Sequence, residues 1–293
     1  MKGFTRIGGT VAVLVAVTAS GASAAKLTSV NTSRRVTPGP TYVALGDSVT
    51  FGFDEQTVTP PPDYRNASSF IAYPQLVGQA LKLKVVNAAC PGETSASLIS
   101  ASSPSNGCEN SPSPTRAAYR AKYPLHVKYN GSQLAFAVSY LKTHANVRLV
   151  SLMIGANDAF LCQETTKDGC KAELPSVLAK LKRNVATILS AIRHKAHYSG
   201  QILIVNYYAL NYGIPAIAAQ SRLLNGAVDG PARSFKVGFA DGFGVLRTAA
   251  VHSGGDSCRA GLLTQTGGDS CGVHPSVAGQ ALLAQAVEDV TTP

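Results

Sequence analysis

No C-x-x-C pair occurs in the 293 residues, although the chain has six cysteines. That absence argues against a zinc site built on paired thiolates, and no metal is expected. No basic run is interleaved with aromatics, which argues against a nucleic-acid surface. Acidic residues are scarce, 16 against 26 Lys and Arg, for a formal net charge of +10. There is no long internal repeat. After the N-terminal stretch no second long apolar segment follows, so nothing further along reads as a membrane span.

The N-terminus itself is patterned. Lys2 and Arg6 form a basic start, an apolar stretch runs from Ile7 to Ala19, and Ala22-Ser23-Ala24 offers a small-x-small cleavage site. Residues 1–24 therefore read as a secretory signal peptide and the protein as secreted. No cysteine closely follows the apolar stretch, which argues against a lipoprotein anchor. Residues 25–40 are polar and read as a flexible lead-in, and 41–293 as one domain. Without Lys2 and Arg6 the chain keeps 24 basic and 16 acidic residues, about +8. That charge suits contact with an anionic membrane or wall polymer.

An even number of cysteines in an exported chain predicts disulfides, and six allow fifteen pairings. Nearest-neighbour pairing is the simplest: Cys90–Cys108, Cys162–Cys170 and Cys258–Cys271, each bracketing one loop. Each bridge is expected to contribute about 2–4 kcal/mol.

Near-continuous apolar runs mark buried parallel strands at Tyr42–Leu45, Lys84–Ala88, Val147–Ile154 and Ile202–Val205. Helical patterns lie between and after them. Leu174, Val177, Leu178, Leu181, Val185, Ile188, Leu189 and Ile192 share one face, with Pro175 in the first turn. Residues 133–141 and 276–290 are further helices. Alternation of this kind predicts an α/β fold, a three-layer α/β/α sandwich with a central parallel sheet. Residues 53–69 and 102–128 read as loops, and the first directly follows Ser48, where it can rim a cleft.

Ligands of open α/β sheets bind beyond the carboxyl ends of strands. Three such ends carry reactive groups. Gly46-Asp47-Ser48 supplies a hydroxyl, Cys90-Pro91-Gly92 a bare N–H, and Gly155-Ala156-Asn157-Asp158 a side-chain amide. Each alone is an ordinary turn; their coincidence suggests a nucleophile beside an oxyanion hole made by Ser48 N–H, Gly92 N–H and Asn157. Gly-Asp-Ser recurs at 255–257 and 268–270. The second copy lies in a G-x-S-x-G run but lacks the strand–helix setting of a nucleophile elbow. His274, just before Pro275-Ser276 and a helix, is the candidate base, held on a tight loop. His194 and His197 sit at a basic helix end and read as solvated.

Together, Gly46-Asp47-Ser48, Gly92, Gly155-x-Asn157-Asp158 and His274-Pro275-Ser276 resemble the SGNH, or GDSL, hydrolases across nearly all of the mature domain. The cysteine pattern looks like their secreted actinobacterial lipase branch. The resemblance implies a flavodoxin-like sheet and an esterase or lipase that needs no cofactor. By the same resemblance Ser48 is the nucleophile, Gly92 and Asn157 are oxyanion donors, and His274 is the base. One departure stands out. The family's Asp three residues before the His is here Cys271. The Gly272 carbonyl is the expected acceptor for His274 Nδ1, with Asp269 as its rival. The expected substrate is a small-molecule or lipid ester, and the expected state a monomer. A carbohydrate O-acetylesterase and a catalytically silent wall- or lipid-binding module are the alternatives.

Overall fold

The computed structural model describes residues 39–55, 57–58, 60–112 and 117–292. The expected leader, 1–24, and all but the last two residues of the lead-in lie outside them. The elements run in the order β1 (Thr41–Gly46), α1 (Ser48–Phe51), α2 (Tyr73–Ala80), β2 (Lys84–Asn87), α3 (Ser95–Ile99), α4 (Tyr119–Lys122), α5 (Gln133–Thr143), β3 (Val147–Met153), α6 (Ala156–Thr165), α7 (Leu174–Ser190), β4 (Gln201–Val205), α8 (Pro215–Ala232), β5 (Gly238–Ala240), α9 (Gly242–Ala250), β6 (Leu263–Gly267), β7 (Ser270–Pro275) and α10 (Val277–Glu288).

Strands β1 to β5 form one parallel sheet in the order β2-β1-β3-β4-β5. This is the doubly wound arrangement, in which the crevice opens beside the first strand at the carboxyl edge. Strand period explains the two cores. Val43 and Leu45, Val150 and Leu152, Ile202 and Ile204 face one side, where they pack with α3, α5 and α7. Tyr42, Ala44, Leu149, Met153, Leu203 and Val205 face the other, against α2, α9 and α10. Because both faces are covered, the strands read as unbroken apolar runs.

Four expected strands are present, and β5 is added. It is three residues long, with a glycine and two half-buried positions, too short to stand out as a run. The long helix ends at Ser190 and passes into a π-helical turn, Ala191–Lys195. Residues 102–128 are not loop throughout, since α4 lies within them.

The C-terminal segment departs most from expectation. His274 does not sit on a tight loop before a helix. It lies on β7, which pairs antiparallel with β6 outside the main sheet. The helix begins only after Ser276, whose side chain caps Gly279 N–H. Ser270 starts β7 beside the hairpin turn, so the G-x-S-x-G run forms no elbow.

Three disulfides join Cys90 to Cys108, Cys162 to Cys170 and Cys258 to Cys271. The first spans the turn after β2, and the last ties the segment after α9 to β7. No helix among the described residues is long and apolar enough to cross a membrane.

Candidate functional site

Ser48 opens α1 directly after β1. Asp47 caps that turn, its Oδ1 accepting the Val49 N–H at 3.1 Å. The strand end beneath is fixed by Gln133. Gly46 N–H donates to Gln133 Oε1 at 2.6 Å, and Gln133 Nε2 donates to Gly46 O at 3.0 Å. The same Nε2 donates to buried Glu93 at 3.0 Å, and Ser97 Oγ also donates to that carboxyl. Burial pushes Glu93 well above the ordinary carboxylate range. The turn that carries Ser48 is thus tied to the turn after β2 by a satisfied buried network.

Gly92 lies in that second turn at φ +81°, and a Cβ there would stand 2.5 Å from the Asn106 carbonyl oxygen. The packed backbone of Asn106 and Gly107 therefore requires glycine here. Cys90, Glu93 and Cys108 have the spacing of a metal cluster, but both sulfurs are consumed in a bridge.

Asn157, in the first turn of α6, is clamped from two sides. Its Oδ1 accepts from Asn106 Nδ2 at 3.1 Å, and its Nδ2 donates to Asp47 Oδ2 at 3.4 Å. An amide nitrogen has two hydrogens, so one donor remains. Tyr207 OH, on the segment after β4, donates to the same Asp47 oxygen. Asp158 faces away from this group and accepts from Ser95 N–H and Oγ at 2.8 and 2.6 Å.

Burial pushes the Asp47 carboxyl from 3.8 up to about 6, against the lowering effect of its Tyr207 and Val49 hydrogen bonds. The folded protein holds this proton to higher pH than the unfolded chain. The resulting stabilisation is complete below pH 3.8 and is lost as pH rises through about 6. The displacement corresponds to about 3 kcal/mol. Asp47→Asn removes the titration. Going from about pH 4 to about pH 8, the variant is expected to lose about 2 kcal/mol less stability than wild type, read from urea midpoints at both pH values.

His274 Nδ1 lies 2.6 Å from Glu55 Oε1. This corrects the expectation that the Gly272 carbonyl would be its partner. In a β-strand, carbonyls point in the plane of the sheet while side chains stand out of it. On β7 the Gly272 carbonyl therefore does not follow the imidazole. Asp269, the other candidate, is exposed in the β6–β7 turn. Glu55 Oε2 also accepts from Thr264 Oγ1 at 2.8 Å. Burial pushes the Glu55 carboxyl up, but hydrogen bonds from His274 and Thr264, together with the charge of His274, hold it below its ordinary value. Burial and adjacent Glu55 push Asp54 up to about 6.

Two rival histidines are engaged elsewhere. His126 Nε2 pairs with the Phe51 carbonyl at 2.9 Å, and the His144 ring stacks on Tyr140 at 3.7 Å.

Ser48, Gly92, Asn157 and His274, scattered over the chain, line one cavity of about 750 Å³. Glu55, Asn106 and Tyr207 line it too, and sequence patterning pointed to none of these three. The remaining wall is largely apolar. Phe53, Tyr64, Tyr119 and Tyr123 lie on the side of the β1 and β2 loops; Phe160, Leu174, Leu178, Ile217 and Leu224 come from α6, α7 and α8. Phe51 and Phe70 extend the first group into a continuous aromatic cluster with Phe53, Tyr64, Tyr119 and Tyr123.

Solved structures share this architecture. Phospholipase A1 from Streptomyces albidoflavus NA297 is similar over 87% of this chain and 100% of its own, at 20% identity and a TM-score of 0.53. An alpha/beta hydrolase enzyme from the metagenome of Lake Arreo matches over 86% and 95%, at 15% identity and a TM-score of 0.53. A single-residue variant of an acetyl xylan esterase from Geobacillus stearothermophilus matches over 87% and 96%, at 16% identity and a TM-score of 0.50. A search of curated protein sequences finds no match. A family model matches residues 44–282, from the end of β1 through the cavity residues and the His274 hairpin. The chain belongs to the GDSL-like lipase/acylhydrolase family.

Proposed function

We propose that this protein is a secreted Ser–His carboxylic ester hydrolase that prefers apolar acyl groups. The observation that carries the reading is the shared cavity: hydroxyl, imidazole and amide line one space whose other walls are apolar. Ser48 Oγ attacks the ester carbonyl and passes its proton to His274. With Nδ1 engaged by Glu55, Nε2 is the nitrogen left to take it. Ser48 N–H, Gly92 N–H and the free Asn157 donor receive the oxyanion. Collapse breaks the ester C–O bond, and the leaving alkoxide takes the proton back from His274. Water, deprotonated by His274, then attacks the acyl-enzyme and releases the acid. All of these groups belong to the chain itself.

Known structures on both sides of the substrate choice share the fold, a phospholipase and an acetyl xylan esterase among them, so the reading draws its support from the cavity lining. Phe, Leu and Ile side chains on the wall reward burial of an acyl chain, which favours it over a sugar, although Lys122, Gln163 and Gln220 also line the cavity. Leu210, Leu223 and Val273 line the cavity while 37%, 54% and 38% exposed, which makes the mouth apolar as well. Three short-range bridges support export and a place beside the secreted actinobacterial lipases. The charge of about +8 that remains without Lys2 and Arg6, 24 basic against 16 acidic residues, supports contact of the monomer with an anionic membrane or wall surface.

A p-nitrophenyl ester series from acetate upward tests this. The expected kcat/KM rises by up to about fourfold for each methylene added, until the chain outgrows the cavity. Hydrolysis of acetate alone would move the assignment to an O-acetylesterase. Absence of both turnover and fluorophosphonate labelling in oxidised protein would move it to a silent binding module.

A further inference from the structure

We propose that Glu55 is the positioning acid of this site, delivered from the nucleophile's own loop and seated in the space that Gly272 leaves empty. The proposal rests on the hydrolase reading above and adds the group that prepares His274. The position where relatives are expected to carry an acid is closed to that role, since Cys271 is bridged to Cys258. The Glu55 carboxylate takes up the task from 219 residues away, with Oε1 on His274 Nδ1 at 2.6 Å and Oε2 on Thr264 Oγ1 at 2.8 Å.

Gly272 supplies the seat. A Cβ at that position would stand 2.3 Å from Glu55 Oε1 and 2.7 Å from its carboxyl carbon. Residues two apart on a strand project from the same face, so a carboxylate lying over 272 meets the imidazole of 274. Both sides of the pair are also braced. Tyr64 OH donates to the Asp54 carbonyl at 2.5 Å, and Tyr208 OH donates to the Val273 carbonyl at 2.5 Å. The Phe53 ring lies 5.0 Å from the imidazole ring. The His274 and Glu55 side chains are only 12% and 24% exposed, so water screens the pair weakly. A carboxylate here keeps the Nδ1–H tautomer, leaves Nε2 free to accept, and stabilises the imidazolium formed during attack. The longer arm of Glu suits a carboxylate that must reach across from another loop.

The charged and titratable groups around His274 are Glu55, Asp54 and Tyr64 from the loop after α1, Asp47 at the α1 cap, the Tyr207 and Tyr208 phenols from the segment after β4, and, on the shared cavity wall, Tyr119, Lys122 and Tyr123 of α4 and its C-terminal end. Glu55→Gln removes only the first of these charges. In full-length oxidised enzyme, assayed with a p-nitrophenyl ester from about pH 5 to 9, Glu55→Gln is expected to lower kcat about 10²-fold with KM within about threefold of wild type. The acid limb of kcat/KM moves to lower pH, because the imidazolium has lost its anionic neighbour. A purely structural role for Glu55 would not move that limb. Gly272→Ala keeps Glu55 but displaces its carboxylate, and is expected to lower kcat in the same way. A fall of less than about tenfold in Glu55→Gln, or an unmoved acid limb, overturns the proposal. If Glu55→Gln does not fold by circular dichroism, Gly272→Ala decides on the same criteria. Wild type that turns over ester while both variants match it refutes the Glu55 assignment alone; wild type with neither turnover nor fluorophosphonate labelling refutes the hydrolase reading itself.

Discussion

Ser48→Ala is expected to lower ester turnover by about 10⁵-fold or more and to abolish fluorophosphonate labelling, with the protein still folded. The side chain is half-buried at the cavity floor, and its oxygen is the only part removed. His274→Ala is expected to cost a similar factor, since an alcohol without a base is a weak nucleophile. The informative variant is the double one. Two groups that act as one unit lose their effect once, so Ser48→Ala/His274→Ala should be hardly slower than either single variant. Additive losses would mean that they work in separate steps. Labelling that survives in Ser48→Ala would point to a different nucleophile, with Ser270 in the exposed hairpin the first to be tested; Ser257 is fully buried and donates to the Ala209 carbonyl.

Asn157→Ala should lower kcat by about 10²- to 10³-fold and leave KM within a small factor. The reason lies in how its amide is held. Asn106 Nδ2 occupies Oδ1, and Asp47 Oδ2 takes one hydrogen of Nδ2. The orientation is set before substrate arrives, which is the condition under which a donor aimed at an oxyanion acts on kcat rather than on KM. Steady-state kinetics on the best ester of the chain-length series give the split. A rise in KM with kcat unchanged would show that Asn157 binds ground-state substrate instead.

The fold was legible because its signals are local. A strand buried on both faces must be apolar along its length, and the β1, β3 and β4 segments show this plainly. Short β5 and the β6–β7 hairpin were not legible, since three residues with a glycine, or a polar ribbon outside the sheet, carry no such run. Ser48, Gly92 and Asn157 could be singled out because each follows a strand and so shares the sheet's carboxyl edge. Glu55 could not. It lies in a segment rich in proline and polar residues, and nothing near it in the chain refers to residue 274. Asn106 and Tyr207 were hidden for the same reason: their partners, Asn157 and Asp47, lie 51 and 160 residues away.

From its amino acids alone, this protein's layered α/β architecture and the residue types of a nucleophile, amide donors and an imidazole could be stated, because hydrophobic period and strand-end position are properties of short segments. Which carboxylate faces the imidazole was decided by tertiary structure. That choice depends on a loop meeting a strand across a glycine with no Cβ in the way, and contact between segments 219 residues apart is a consequence of packing.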